Sequence, residues 1–122
     1  MNKDKILLLI LASTLSGCND GFINNKIGYG LKLQKSISIK CAIKSLNQIS
    51  NISDVKLKNK NITFSIYGYS SELAFNSSNG EFSAYEINID GMFKFESSST
   101  FFQNSEKASQ KIQKSIKFNC LK

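Results

Sequence analysis

The chain predicts an α+β fold: an antiparallel meander of four or five strands, with an N-terminal and a C-terminal helix packed on one face. Three observations carry this. Apolar residues recur at steps of three and four from Ser36 to Ile49, at every second residue from Val55 to Phe95, and at four-residue steps again after Ser99. Asn, Asp, Ser and Gly clusters separate the alternating runs. The strands are consecutive and flanked by helices, which suits segregated layers rather than repeated β-α units.

In chain order, Ile39, Ala42, Ile43, Leu46 and Ile49 make one apolar helical stripe, with Ser36 as N-cap. Cys41 lies off that stripe, beside Ile37, on a second and narrower face. Ile37, Ile39 and Cys41 also alternate as a strand would, but the helical match is longer. The strand pattern then runs through Val55 and Leu57, through Ile62, Phe64 and Ile66, through Leu73 and Phe75, through Tyr85, Ile87 and Ile89, and through Phe93 and Phe95. Turns are expected at Asn59-Lys60-Asn61, Ser70-Ser71, Ser78-Asn79-Gly80 and Asp90-Gly91. A three-residue loop at Ser78-Asn79-Gly80 sets Leu73 opposite Tyr85. A two-residue turn at Asp90-Gly91 would set Ile87 against Lys94. An Asp90-Gly91-Met92 loop instead pairs Ile89 with Phe93 and Ile87 with Phe95, and keeps the apolar face continuous. Tyr67, Tyr69 and Phe82 then fall on the face away from the helices. From about Ser99 to Phe118 the inner side is Phe101, Ala108, Ile112 and Ile116, and the outer side is Lys107, Lys111 and Lys114.

The first eighteen residues form a separate unit. Lys3 and Lys5 precede a ten-residue apolar run, Ile6 to Leu15. As a helix it spans about 15 Å, half a bilayer core. Such a run cannot cross a membrane but has the layout of a secretory signal. It ends in Leu15-Ser16-Gly17-Cys18. This tetrad resembles the lipobox of bacterial lipoproteins. The resemblance covers Met1 to Cys18. It implies a signal peptide over 1–17, cleaved before Cys18, and acyl chains on Cys18 (palmitate among them) that hold the mature chain to a membrane. Two or three chains make such an attachment stable. Asn19 stands where an aspartate would resemble an inner-membrane retention signal, so the expected location is periplasm-facing, with the outer membrane favoured over the inner. Residues 18–33 are polar and glycine-rich and read as the lipidated cysteine and its tether, of which Gly30 to Leu33 can already be structured. Residues 34–122 read as a single α+β domain.

Composition narrows the chemistry. Beyond Cys18 there are 104 residues, enough for one core. They carry 14 lysines against 8 acids, and the chain has no arginine, histidine, tryptophan or proline. Nucleic-acid recognition leans on arginine for bidentate contacts, so no nucleic-acid partner is expected. The lysine, asparagine and isoleucine richness reads first as the codon usage of an AT-rich genome. Cys41 and Cys120 remain once Cys18 is acylated, and an even pair in an exported chain points to a disulfide. No metal site or cofactor is expected, because there is no histidine and no CxxC.

Catalytic constellations are thin. A Ser-x-x-Lys spacing such as Ser53 to Lys56 arises readily in so serine- and lysine-rich a chain. Glu86, Asp90 and Glu96 fall near one expected hairpin. They would suit paired-carboxylate hydrolysis, but they alternate with core residues as solvent-facing charge does. Two interaction candidates remain: the lysine row Lys107, Lys111 and Lys114, which also reads as a solvated helix face, and the aromatic group Tyr67, Tyr69 and Phe82. The expected function is therefore that of a non-enzymatic, membrane-anchored periplasmic module. Its partner would be an envelope protein, bound in an inhibitory or immunity-type role. The alternatives are an accessory lipoprotein of a secretion or envelope-assembly machine, and a small envelope hydrolase.

Overall fold

The computed structural model describes residues 25–92 and 95–121. The elements are β1 (Lys26–Ser38), α1 (Ile39–Asn47), β2 (Ile52–Leu57), β3 (Asn61–Ile66), β4 (Tyr69–Phe75), β5 (Glu81–Asp90) and α2 (Ser98–Cys120). Five antiparallel strands form one sheet in the order β1-β5-β4-β3-β2. Strands β2 to β5 are the expected meander, and both helices cover one face. The signal segment, Cys18 and the first part of the tether lie outside the described residues.

The fifth strand of the sheet is β1, whose first eight residues lie in the segment expected to be tether. Ile27, Tyr29 and Leu31 pair with Ile89, Ile87 and Tyr85, taking the edge of β5 that Phe93 and Phe95 were expected to fill. The glycines that suggest a tether have a packing role here. A Cβ on Gly28 would stand 2.7 Å from Asn88 Oδ1, so the missing side chain lets β1 lie beside β5. Gly91 leaves the sheet rather than turning back: its N–H donates to Asn25 O at 2.8 Å. Phe95 is 72% exposed and belongs to no strand, and Phe93 lies outside the described residues.

Helix α1 starts two residues later than expected. Ser38, not Ser36, is its N-cap, with Oγ accepting from Cys41 N at 3.0 Å. Ser36 belongs to β1, which shifts register between Lys32 and Ile37. The strand alternation through Ile37 thus runs up to the cap, and the helical stripe takes over after it. Helix α2 matches its expected span, and the Ser97 side chain caps it by accepting from Thr100 N at 3.1 Å.

Two tight turns reset the expected pairing. Asn79 and Gly80 have φ of 56° and 77°, and a bridge joins Ser78 to Glu81 across them. This is a two-residue turn of the mirror-image kind, which Asn-Gly favours. Leu73 consequently faces Ile87, and Phe75 faces Tyr85. The slip from the expected register is two residues, so the same face stays apolar. The second turn is Tyr67-Gly68, with φ of 55° and 80°, where Ile66 pairs with Tyr69. It replaces the turn expected at Ser70-Ser71.

These turns overturn the expected aromatic face. Tyr69 shares parity with Leu73 and Phe75 along β4, so it points under the helices and is 1% exposed. Phe82 is brought inward because β5 carries one extra residue between Glu81 and Tyr85, where three residues stand opposite Asn76 and Ser77. It is 2% exposed and stacks on Phe75, ring centroids 4.6 Å apart. Tyr67, at its turn, is half-buried against the core. No aromatic patch made of these three faces solvent.

The core lies between sheet and helices. Ile62, Ile66, Leu73 and Ile87 from the sheet meet Ala42 and Leu46 from α1 and Phe101, Ala108, Ile112 and Ile116 from α2, all fully buried. The apolar stripes read from the sequence are therefore the faces that pack. Small serines let the two helices approach: half-buried Ser115 donates from Oγ to the backbone oxygen of buried Ser45 at 3.0 Å. Cys41 and Cys120, 79 residues apart, stand at disulfide-bonding distance with Cα atoms 5.9 Å apart. They join the first turn of α1 to the last turn of α2.

Candidate functional site

The face of the sheet opposite the helices is polar and uncovered among the described residues. Strand alternation sends Lys26, Gly28 and Gly30 of β1, Glu86, Asn88 and Asp90 of β5, Ser70, Glu72 and Ala74 of β4, and Thr63 of β3 to this side. Large side chains alternate there with small ones, leaving a shallow groove across β1, β5, β4 and β3. Three of the chain's nine acids, Glu72, Glu86 and Asp90, gather in it, although the chain's net charge is +7.

A hydrogen-bond relay fixes these acids. Asn88 Nδ2 donates to Glu72 Oε2 at 3.0 Å and to Glu86 Oε1 at 3.4 Å. Asn61 Nδ2 donates to the other oxygen of Glu72 at 2.6 Å. Lys26 stands 4.0 Å from Asp90 at the strand end. Among the described residues of the groove, only this pair brings opposite charges together, and it is too exposed to contribute more than about 0–1 kcal/mol. Neutral amides hold the carboxylates in place while leaving their charge to face outward.

Glu96, expected near Glu86 and Asp90, is not with them. It accepts a hydrogen bond from the Tyr69 hydroxyl, on the helix-covered side. Asn104 Nδ2 donates to the same hydroxyl at 3.2 Å. Glu86 and Asp90 are four residues apart on one strand, about 13 Å along it, well beyond the spacing of paired glycosidase carboxylates. Burial, together with the Glu96 hydrogen bond, pushes the Tyr69 phenol up to about 12. Burial does the same to Tyr85, up to about 12. Tyr29 is likewise pushed up to about 12, by burial and then by the charge of Glu106 on α2. All three rings lie on the core side of the sheet.

The lysine row is on one helix, and Lys107, Lys111 and Lys114 are all exposed. Lys111 also makes local contacts. Its Nζ donates to Asn51 Oδ1 at 2.7 Å and lies 5.3 Å from the centroid of the Tyr67 ring. It ties α2 to the α1–β2 connection and to the β3–β4 turn. The acidic sheet face was the feature that sequence reasoning missed. Its signal was present, since Glu72, Glu86, Asn88 and Asp90 sit at the polar positions of two strands. Their meeting depends on the register between β4 and β5, which the turns set.

Among the described residues no group of His, Cys, Asp and Glu is arranged to hold a metal ion, and no helix is long and apolar enough to cross a membrane. No protein-family model, curated protein or solved structure matches the chain.

Proposed function

We propose that the chain is an envelope lipoprotein, held by acyl chains on Cys18, whose domain binds another protein in an inhibitory or immunity-type role. The observation that carries the binding role is the uncovered sheet face. One side of the sheet is sealed by two helices. The other displays Glu72, Glu86 and Asp90 around a shallow groove; Asn61 and Asn88 hold Glu72, Asn88 also reaches Glu86, and the Met92 N–H donates to Asp90. A polar groove of this kind, with three carboxylates between Lys26 and Lys32 on β1 and Lys56 on β2, suits a partner that presents lysine or arginine side chains, with charge complementarity setting orientation and encounter rate. The lipobox tetrad supports the anchor, and the Cys41–Cys120 pair supports an oxidising compartment facing the periplasm.

Two experiments test this reading. Labelling cells with radioactive palmitate should mark the wild-type chain and leave Cys18→Ser unlabelled; equal labelling of both removes the anchor. An immunity role requires that deletion be lethal only when a neighbouring toxin-like gene is expressed. The double charge reversal Glu72→Lys/Glu86→Lys should then abolish protection while palmitate labelling and circular dichroism stay unchanged. Full protection by that variant moves the binding surface off the sheet face. A secretion defect on deletion, with no toxicity, replaces the immunity role by an accessory one.

A further inference from the structure

The described chain begins at Asn25, and that residue is pinned. Its backbone oxygen accepts from Gly91 N at 2.8 Å, and its Oδ1 accepts from Ser98 Oγ at 3.1 Å. Ser98 is the first residue of α2. Asn25 therefore stands at the corner where β5 hands over to α2. Two large apolar side chains are exposed at this corner: Phe95 at 72% and Phe102 at 44%. Phe102 lies four residues after Ser98, one helical turn along on the same side, and Phe95 lies three residues before it. The other large exposed apolar residues, among those described, are Leu57 and Phe118. Leu57 ends β2, the opposite edge strand from β1. Phe118 is 16 residues beyond Phe102 on α2, about 24 Å along its axis.

Six residues, 19–24, separate Cys18 from Asn25. Fully extended, that leash reaches about 25 Å. We propose that the corner formed by Asn25, Phe95 and Phe102 is the membrane-facing end of the domain, with the two phenyl rings seated in the headgroup region of the bilayer. This inference rests on acylation of Cys18. An acylated cysteine fixes the leash at the bilayer, so the corner cannot move farther from it than the leash allows. Contact of two rings with lipid is then intramolecular and needs little area of its own. Apolar aromatic side chains of surface-lying proteins seat at the boundary between headgroups and acyl chains. The consequence is an orientation. The start of β1 and the end of β5 point toward the membrane, and the Asn79-Gly80 turn, about 30 Å away along β5, points into the periplasm. The acidic sheet face then stands upright, open to a partner arriving from the side.

The absence of tryptophan gives a clean test. The lipidated full-length protein carries a single Phe95→Trp or Phe102→Trp and is reconstituted in phosphatidylethanolamine/phosphatidylglycerol vesicles containing lipid brominated near the headgroup end of its acyl chains. Leu57→Trp and Phe118→Trp serve as controls, all at exposed positions, and circular dichroism checks each fold. Emission at both corner positions should fall about twofold in brominated vesicles and shift to the blue, as for residues at a lipid interface, while the controls do not respond. Corner quenching no greater than that of the controls overturns the inference and leaves the corner to a protein partner. Mass spectrometry of the same preparation separates the two ideas. An unacylated chain defeats the anchor and this inference together, whereas acyl chains without quenching defeat the orientation alone.

Discussion

Breaking the Cys41–Cys120 link should weaken the domain about as much as the costliest core truncations, and the magnitude follows from the length of the loop it closes. The two cysteines are 79 residues apart. In the chain-entropy treatment a loop of that length removes about 15 cal/mol/K from the unfolded ensemble, or about 4.5 kcal/mol at 25 °C. The folded state loses little by comparison. Helices α1 and α2 remain joined by Ala42 and Leu46 in the shared core, and by the Ser115–Ser45 hydrogen bond. The loss therefore sits in the unfolded chain, which becomes free to expand. Domains of this size have total stabilities of about 5–15 kcal/mol, so the reduced protein should be marginal. A loss of that size lowers the Tm by about 20–35 °C in a domain of roughly a hundred residues. Urea unfolding followed by circular dichroism, with and without a phosphine reductant, measures it. The double variant Cys41→Ala/Cys120→Ala repeats the measurement without reductant. The unfolding slope should rise slightly as the freed chain exposes more surface. A stability difference below about 1 kcal/mol between oxidised and reduced protein would refute the loop-entropy reasoning.

Further outcomes follow from the same packing. Tyr69 and Tyr85 are buried neutral phenols with pKa values pushed up to about 12. A phenol whose pKa is raised on folding contributes stability that is complete below pH 10 and lost as pH climbs from 10 through 12. Each is worth about 2–3 kcal/mol over that window. Absorbance at 295 nm and circular dichroism should therefore change together between those values; full tyrosinate formation with native dichroism would contradict this. Gly91→Ala should destabilise by about 2–3 kcal/mol, because the new Cβ meets the buried Phe101 ring. The clash distance is 2.7 Å, and the Phe101 ring is packed edge-on against Tyr69, centroids 5.1 Å apart. Gly80→Ala meets no atom and should cost only about 1 kcal/mol of left-handed strain, so the reverse ranking in urea melts would be fatal to both arguments. Tyr69→Phe should cost about 2 kcal/mol by stripping the hydroxyl from Glu96 and Asn104, and its Tm should match wild type only if that network is idle.

Much of the architecture was legible because periodicity is local. The stripe Ala42-Leu46, the run Ile62-Phe64-Ile66 and the ladder Ala108-Ile112-Ile116 each state which side is inward, and each is buried as its spacing requires. What was misread depends on where a turn falls. Ser70-Ser71 has turn-like composition, yet Tyr67-Gly68 turns the chain, and the shift carries Tyr69 from one face of the sheet to the other. Phe82 was misplaced because strict alternation back from Tyr85 takes no account of a bulge. The glycines of residues 26–33 suggest a tether. The Ile27-Tyr29-Leu31 alternation beneath those glycines was the available signal.

By itself the sequence determined the class of fold, the inward faces of both helices, the pairing of two distant cysteines and the tetrad ending in Cys18. All of these are written in residue type and spacing along the chain. Only the tertiary structure decided which strand lies beside β5, that Tyr69 and Phe82 are core, and that Glu72, Glu86 and Asp90 share one open face. Those outcomes turn on register between segments far apart in sequence. Register is set by the joint fit of turns, bulges and apolar faces, which no single stretch of the chain contains.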